Sequence, residues 1–268
     1  MKIGKATVPR TAICTSDEHT IVVRGRDLSK DLIGKVSFIE HFFLLLNGKL
    51  PSAGEAAVLN ATLVAIAEHG LVPSVQAARM TFAAAPDAMQ GAVAAGILGC
   101  GSVVLGSSET AGRMYSEIDA QVQSGVAIDA AALAVMQAWR TAGKAIPGYG
   151  HPLHKERDER VGALFTVARK AGTDLRFVAI AEAAEAMLPQ VLNKPLKLNV
   201  SGAIPAVLLG AGFPVQALKG VPILARTAGL IAHMFEELQQ PIGFALSYQA
   251  TREMVYDGDL PPGFGAHA

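Results

Sequence analysis

Residues 146–160 read Ile-Pro-Gly-Tyr-Gly-His-Pro-Leu-His-Lys-Glu-Arg-Asp-Glu-Arg, and they begin in a Pro/Gly-dense break between strong helical patterns. Glycines on both sides of an aromatic residue let the backbone approach a ligand closely and expose its N–H groups. His151 follows at the lip of this loop, where an imidazole can exchange protons near neutral pH. An ordinary loop before a capped, salt-bridged helix fits the same pattern, so the spacing alone leaves both interpretations open.

Helical patterns surround this break on both sides. Capping-box sequences at residues 37–40 and 52–55 predict helices that end at residues 47–48 and 69–70. Residues 87–100 are nearly all Ala, Gly, Ile and Leu, which predicts a helix buried on all sides. Further helices are predicted from residue 73 onward and at residues 129–141, 158–171, 175–187, 201–212 and 221–238.

Strand signals are confined to the start of the chain. Two β-branched runs within residues 11–24 flank a polar turn and predict a short hairpin. The predicted fold class is therefore all-α with a short N-terminal β-hairpin. The break predicts a large helical domain of residues 1–142 and 231–268 and a small helical domain of residues 143–230. Active sites often lie in the cleft between two such domains.

Composition narrows the class of protein. Hydrophobic residues make up 51% of the 268, and only 17% are charged, against about 25% in an average soluble domain. Either a partner subunit covers part of the surface, or the chain is a well-buried helical bundle. Lys+Arg and Asp+Glu number 23 each, so the chain lacks the basic excess of a nucleic-acid-binding surface.

Several features predict a cytoplasmic protein. Cys14 and Cys100 are far apart and outside any CxxC pattern, which fits a reducing compartment. The first twenty residues contain no apolar signal-peptide core. Apolar runs such as residues 200–212 are too short to span a membrane and contain Gly and Pro.

A few charged or titratable residues stand out in apolar surroundings. Arg226 lies in an apolar helix and needs an anionic partner, since an unpaired buried charge is very costly. A structural carboxylate or a substrate carboxylate would serve equally. His69 ends an apolar helix, where it could simply interact with the helix dipole. His151 and His154 are three residues apart, but no carboxylate or thiol cluster completes a metal site, so no metal is expected.

Four segments, in the right order, resemble the citrate synthase family. Residues 147–160 resemble its Pro-Gly-x-Gly-His signature, followed by a basic residue and Asp-x-Arg. His-Gly-Leu-Val-Pro-Ser-Val-Gln-Ala-Ala-Arg at 69–79 is similar to the family's Asp-His-x-x-x-Ala-Ser-x-x-x-Ala-Arg segment. Leu-Lys-Leu-Asn-Val at 196–200 and Ala-Arg-Thr-Ala-Gly-Leu-Ile-Ala-His at 225–233 resemble its later Asn-Val-Asp and Ala-Arg-x-x-Gly-x-x-Ala-His segments. The short length resembles the citryl-CoA lyase branch.

The resemblance implies a helical homodimer with a large and a small domain, acting on a coenzyme A thioester. It implies that His69, Arg160 and Arg226 hold the carboxylates of an oxo-dicarboxylate. It also implies that His151 hydrogen-bonds the reacting carbonyl or hydroxyl. Guanidinium groups bind carboxylates bidentately, and an imidazole can protonate a developing alkoxide. The residues that the resemblance places along coenzyme A are Ile146, Pro147, Gly148, Tyr149 and Gly150, with Lys155 at its phosphates.

Two positions depart from the family pattern. Leu105 stands where the family has a catalytic histidine before Gly-Gly, and Ser201 stands where its catalytic aspartate follows Asn-Val. A leucine donates no hydrogen bond, and a serine is not basic unless another group activates it. Acid–base groups and enolate-stabilising donors are each worth roughly 10²–10⁴ in rate, so efficient citrate synthesis is not expected.

Three functions remain open. The first is a C–C lyase or acyltransferase on a CoA ester other than citryl-CoA, with His151 as proton handler and Ser201 in the altered catalytic position. In that case Glu109, Ser107, Ser108 or water would stabilise the enolate. The second is hydrolysis or decarboxylation of an acyl-CoA in the same pocket. The third is a noncatalytic subunit that binds a CoA ester. The retained His69, His151, Arg160 and Arg226 favour binding of an anionic substrate.

Overall fold

The computed structural model describes residues 8–101, 105–150 and 158–264, and α-helices dominate them. Three short strands come first, followed by a π-helical turn at Leu28–Leu32, and a 3₁₀ turn at Val215–Ala217 precedes the penultimate helix. The strands are β1 (Cys14–Ser16), β2 (Ile21–Val23) and β3 (Arg26–Asp27). The helices are α1 (Phe38–Asn47), α2 (Ala53–Ala67), α3 (Pro73–Ala84), α4 (Met89–Leu98), α5 (Ser107–Gln123), α6 (Ile128–Thr141), α7 (Glu159–Ala171), α8 (Arg176–Leu192), α9 (Val200–Gly210), α10 (Gly220–Gln239) and α11 (Gly243–Glu253).

The chain forms two compact units. The first comprises residues 1–68 and 101–225, and the second comprises residues 69–100 and 226–268. Helix α10 begins in the first unit and continues in the second. These bounds are not those of the predicted division at residues 143 and 230, which stays a prediction. No helix in the described ranges is both long enough and apolar enough to cross a membrane.

The N-terminal strands confirm the predicted hairpin and extend it. β1 and β2 pair antiparallel with Cys14 opposite Val23, and β3 adds a third strand through Val23 opposite Arg26. Val23 packs with Leu32 and Leu44 in a small apolar cluster. The sheet is therefore attached to α1 by side-chain packing, and the named elements that follow β3 in the described residues are helices or helical turns.

Helix α9 is the centre of the first unit. It packs against α2, α5, α7 and α8, and eight of its eleven residues are buried. A helix that is apolar on every face is stable only where other helices surround it. This central position fixes the N-terminus of α9, which carries Ser201.

The second unit is built on α3, which packs against α4 and α11. Val75, Phe82, Leu230 and Met234 lie in its core. The prediction that residues 87–100 are buried on all sides is wrong for this chain. Within α4 only Ala92 and Gly96 are buried, while Leu98 is 86% exposed. The small residues of α4 allow a close approach to neighbouring elements on one face and leave the other uncovered.

Most predicted helix boundaries are confirmed within two or three residues. The capping box of Ser37 and Glu40 opens α1, and Gly48 ends it with a left-handed backbone (φ 72°). Helix α2 ends at Ala67, so His69 lies in the loop before α3 and not at the end of a helix. Helices α5 and α11 were not predicted from the sequence, and α8 continues past its predicted end.

Candidate functional site

The loop of residues 146–150 is docked against the segment that leads into α9. Gly148 and Gly150 both have left-handed backbones (φ 88° and 80°), and Tyr149 faces Leu198 in an antiparallel bridge. Gly150 N donates to Lys197 O (2.7 Å). These contacts hold the loop of residues 146–150, which is predicted to line coenzyme A, in one conformation.

Asn199 links this loop to the N-terminus of α9. Its backbone N–H donates to Gly148 O (3.0 Å), and its side-chain Nδ2 donates to Gly150 O (2.6 Å). Its Oδ1 accepts from the backbone N–H of Ser201 (2.9 Å), which makes Asn199 the N-cap of α9. One side chain therefore brings together two of the predicted site elements, the loop and Ser201. This role of Asn199 was not predicted from the sequence.

Glycine is required where the loop meets α9. A Cβ on Gly148 would lie 2.7 Å from the Cα of Gly202, and a Cβ on Gly202 would lie 2.7 Å from Gly148 O. Real Cβ atoms do not approach other atoms so closely, and here the neighbours are backbone atoms that cannot rotate away. The two glycines thus allow the loop and the helix to touch backbone to backbone.

We expect Gly148→Ala to lower the free energy of unfolding by about 2–5 kcal/mol. Roughly 1–2 kcal/mol comes from a Cβ in a left-handed conformation, and about 1–3 kcal/mol comes from overpacking against Gly202. Gly143→Ala is the matched control, because Gly143 is also left-handed (φ 73°) but has open space around its Cβ position. Urea unfolding of both variants measures the difference. Equal losses in the two variants would contradict the close-approach argument.

The hydroxyls of two buried tyrosines connect the loop of residues 146–150 to neighbouring helices. Tyr149 Oη donates to Ala181 O (3.0 Å), and Tyr115 Oη therefore donates to Tyr149 Oη (3.0 Å). Burial raises the pKa of the Tyr115 phenol well above its usual range, and the charge of Glu185 adds to that effect. The two hydroxyls act as hydrogen-bond donors that tie the loop to α5 and α8.

Arg160 is paired within the first unit. Its Nε donates to Asp158 Oδ1 (3.0 Å) and its Nη2 donates to Asp158 Oδ2 (2.7 Å). Burial raises the pKa of Asp158, but the bonds from Arg160 and the N–H of Val200 outweigh it and bring the pKa below its usual range. The predicted contact of Arg160 with a substrate carboxylate stays a prediction, since a substrate would share this arginine with Asp158. Asp158, a helix N-cap two residues before an arginine, was recognisable from its spacing.

Arg226 lies in the second unit and is 3% exposed. Its Nε and Nη1 atoms have no hydrogen-bond partner in the part of the chain that the structure describes. The sequence allowed either a structural carboxylate or a substrate carboxylate as the partner of Arg226. No carboxylate of the described residues accepts a hydrogen bond from these two nitrogens. His69, also in the second unit, is exposed in the loop before α3.

Leu105 immediately precedes the N-cap of α5. It is 7% exposed and has a left-handed backbone (φ 70°), which is unusual for a bulky residue. His151 and Lys155 lie outside the described residues. Across the described ranges, no group of three or more His, Cys, Asp or Glu side chains is placed to hold a metal ion.

Comparison with known proteins gives consistent matches. Residues 37–243 match the family model "Citrate synthase, C-terminal domain". The chain is 29% identical over 210 residues to citrate/2-methylcitrate synthase of Bacillus subtilis, covering 75% of this chain and 53% of that protein. A citrate synthase of Haloferax volcanii is 24% identical over 202 residues, with 74% and 51% covered. The chain thus spans about half the length of the curated relatives that it matches.

Solved structures extend the likeness along nearly the whole chain. Citryl-CoA lyase from Hydrogenobacter thermophilus superposes with a TM-score of 0.82 at 33% identity, covering 95% of this chain and 96% of that one. ATP citrate lyase from Methanothrix soehngenii, in complex with citrate and coenzyme A, gives a TM-score of 0.76 at 24% identity, with 96% and 43% covered. The predicted fold class is confirmed by these superpositions and by the helical architecture described above.

Proposed function

Because the chain belongs to the citrate synthase family, we propose that it is an enzyme that cleaves or forms a C–C bond in a coenzyme A thioester. The citryl-CoA lyase type of reaction is favoured by the near-complete mutual coverage with one such lyase. The observation that carries the proposal is the Asn199 link, because it fixes the loop before His151 against the helix that begins beside Ser201. A catalytic residue and a ligand-lining loop need such a fixed frame.

The proposed roles follow the family assignments at matching positions. Coenzyme A lies along the loop of residues 146–150, with its phosphates near Lys155. His69, Arg160 and Arg226 bind the carboxylate-bearing part of the substrate. This is supported by the buried guanidinium of Arg226, whose Nε and Nη1 have no hydrogen-bond partner among the described residues. His151 exchanges the proton of the reacting hydroxyl or carbonyl.

In the cleavage direction, the balance of atoms is that of a retro-aldol step. His151 takes the hydroxyl proton, the C–C bond breaks, and a carbonyl product and the enolate of the CoA ester form. The enolate then takes up a proton to give the released acyl-CoA. Leu105 donates no hydrogen bond to this enolate. We propose that backbone N–H groups in the first turn of α5 do so instead, since that turn has no side-chain cap.

The substrate is proposed to be an ester other than citryl-CoA. In the family, the group at the place of Ser201 is a carboxylate that removes a proton from acetyl-CoA. A serine hydroxyl in its place makes that deprotonation inefficient. The buried hydrocarbon side chain of Leu105 also suits an acyl group that is less polar than an acetyl group.

The experiment mixes purified protein with citryl-CoA and a panel of 3-hydroxyacyl-CoA esters, and follows the products by mass. Appearance of a shorter acyl-CoA together with a carbonyl product supports the proposal. Free coenzyme A with an intact acid means hydrolysis, loss of carbon dioxide means decarboxylation, and binding without turnover means a noncatalytic subunit. Each of these three results would overturn the proposed retro-aldol type of C–C cleavage.

A homodimer is proposed through the second unit. Ile231, Phe235 and Leu238 lie on one side of α10 at i, i+4 and i+7, and they are about half exposed or more, while Leu98 on α4 is 86% exposed. Exposed apolar side chains at this spacing are typical of helix faces that pack against a partner. Light scattering coupled to size exclusion measures the mass, and a monomer at micromolar concentration would contradict the proposal. A cytoplasmic location stays a prediction.

A further inference from the structure

A carboxylate on α8 binds the segment against which the loop of residues 146–150 is docked. Glu185 Oε1 accepts the backbone N–H of Leu198 (2.8 Å). Leu198 is fully buried and lies opposite Tyr149 in the antiparallel bridge. A buried backbone N–H needs an acceptor, and Glu185 supplies it. The side chain of Glu185 therefore holds the bridge partner of the loop in place.

The preceding turn of α8 binds the other half of the same bridge. The carbonyl oxygen of Ala181 accepts the hydroxyl of Tyr149 (3.0 Å). Ala181 and Glu185 are four residues apart and therefore lie on one face of the helix. This face of α8 contacts both partners of the bridge, Tyr149 and Leu198. Neither partner can slide along the other without breaking a hydrogen bond to α8.

Glu185 also lies near the fully buried phenol of Tyr115. Burial raises the pKa of Tyr115, and the negative charge of Glu185 adds to that effect. The Tyr115 hydroxyl bonds to Tyr149 (3.0 Å), and a Cβ on Gly202 would lie only 2.9 Å from it. Gly202 belongs to the first turn of α9. Glu185 thus stands close to the two elements that Asn199 links, the loop and the start of α9.

The hydrogen bonds continue from Leu198 to the last residue of the loop. Gly150 N donates to Lys197 O (2.7 Å), and Gly150 O accepts from Asn199 Nδ2 (2.6 Å). Lys197 and Asn199 are the two chain neighbours of Leu198, so a shift of Leu198 moves both partners of Gly150. A displacement of about 1 Å at a binding or catalytic site can cost about 10²-fold in rate. The acceptor for Leu198 therefore affects the geometry of the whole loop.

We propose that Glu185 is a positioning residue for coenzyme A, which acts by fixing the loop of residues 146–150 through Leu198. The acceptor oxygen carries this role and the charge does not, because the bond goes to a neutral amide. The inference rests on the proposed function in that this loop lines coenzyme A. Glu185 itself touches neither the ligand nor the reacting atoms in this proposal.

Glu185→Ala and Glu185→Gln separate a positioning role from a structural one. Alanine leaves the N–H of Leu198 without its acceptor, so the dissociation constant of coenzyme A, measured by calorimetry, is expected to rise about tenfold. Glutamine keeps an acceptor oxygen and is expected to restore the wild-type affinity. Both are measured at a temperature where unfolding curves show the variants folded. A purely structural role would lower the unfolding midpoint and leave the affinity of the folded protein unchanged.

Glu182→Ala is the matched control on the same helix. The Glu182 side chain is 43% exposed and pairs with Arg169 over 3.7 Å. Its affinity for coenzyme A is expected to equal that of the wild type. If Glu185→Ala does not fold, Glu185→Asp replaces it, because the shorter side chain withdraws the acceptor from Leu198 and is expected to weaken binding in the same way.

Three results would overturn the inference: no binding of coenzyme A to the wild-type chain, wild-type affinity in Glu185→Ala or its replacement, or a loss in Glu185→Gln as large as that in Glu185→Ala. The outcomes also separate the inference from the proposed function. Coenzyme A binding that depends on Glu185, without C–C cleavage of any ester, would leave the positioning role standing and remove the proposed reaction. C–C cleavage with an unchanged KM for the ester in Glu185→Ala would do the reverse.

Discussion

His151→Ala is expected to lower kcat for C–C cleavage by roughly 10²–10⁴, the usual contribution of one general acid–base group. The proposed reaction uses one proton handler from the family's set, because Leu105 and Ser201 stand at the other two positions and neither is a base. Loss of the imidazole therefore leaves no other family residue at these three positions to exchange the hydroxyl proton. The affinity for the substrate is expected to change much less than kcat.

The hydrogen bonds of the residue before His151 support an effect on chemistry and not on folding. Gly150, the residue just before it, is fixed by bonds through both its N–H (2.7 Å to Lys197 O) and its carbonyl (2.6 Å from Asn199 Nδ2). Replacing the next side chain leaves these backbone bonds in place. The thermal unfolding curve of His151→Ala is therefore expected to overlay that of the wild type.

His19→Ala is the control for this experiment. His19 lies in the exposed turn between β1 and β2. Its backbone N–H donates to Asp17 Oδ1 (2.8 Å), a bond that does not involve the imidazole. Its kcat is expected to equal that of the wild type. Steady-state kinetics on the ester that the wild type cleaves, with product masses confirmed, measure both variants. Full activity in His151→Ala would remove this residue from the mechanism and leave the loop with a binding role alone.

Local signals in the sequence predicted most of the fold. The capping boxes gave the start of α1 and of α2, and the apolar run at 201–212 gave the central helix α9. Helix α5 was not predicted, although its buried residues are spaced at helical intervals. Its exposed face is strongly polar, and the irregular Gly/Ser-rich start conceals where the helix begins. A period of 3.6 along Ala111, Met114, Tyr115 and Ile118 was the signal that could have identified it.

The site was only partly predictable, because its decisive contacts join residues that are distant in the sequence. Arg226 could be identified as a buried cation from its apolar neighbours alone. The link from Asn199 to Gly150 spans 49 residues and depends on the docking of a loop against a helix terminus. Likewise, only the packed structure shows that Arg226 Nε and Nη1 lack a hydrogen-bond partner among the described residues. Motifs name the residue types of a site, whereas tertiary packing decides which of them are left without partners.

A buried ion pair between α3 and α10 stabilises the second unit. Arg79 Nε donates to Glu237 Oε2 (2.6 Å), and both side chains are only 3% exposed. The other carboxylate oxygen of Glu237 accepts the N–H groups of Ile242 (2.9 Å) and Gly243 (2.7 Å), which begin α11. One carboxylate thus joins three helices of this unit, and no polar group but Glu237 accepts from Arg79 Nε in the described residues.

Glu237→Ala is expected to lower the free energy of unfolding by about 3–5 kcal/mol, because it leaves the buried guanidinium of Arg79 without its main counter-charge. Glu236→Ala is the matched control on the adjacent residue. Glu236 also accepts from Arg79 (2.5 Å), but its side chain is 53% exposed, and such a pair contributes about 0–1 kcal/mol. Urea unfolding followed by circular dichroism measures both variants. Equal losses of unfolding free energy in the two variants would mean that the buried pair with Glu237 stabilises the fold no more than the exposed pair with Glu236.

Acid unfolding provides an independent measurement of the same contact. Burial raises the pKa of Glu237, but the N–H of Gly243, Arg79 and the N–H of Ile242 together outweigh it and hold the pKa below its usual range. The unfolded chain therefore binds a proton more readily than the native one, and the stabilisation is complete above the unfolded pKa of about 4.3. It is lost as the pH falls through the lower native pKa. Glu237→Gln removes this titrating group, so the difference in unfolding free energy between wild type and Glu237→Gln is expected to shrink below pH 4.3. A difference that stays constant from neutral to acidic pH would show that the charge of Glu237 does not stabilise the native state.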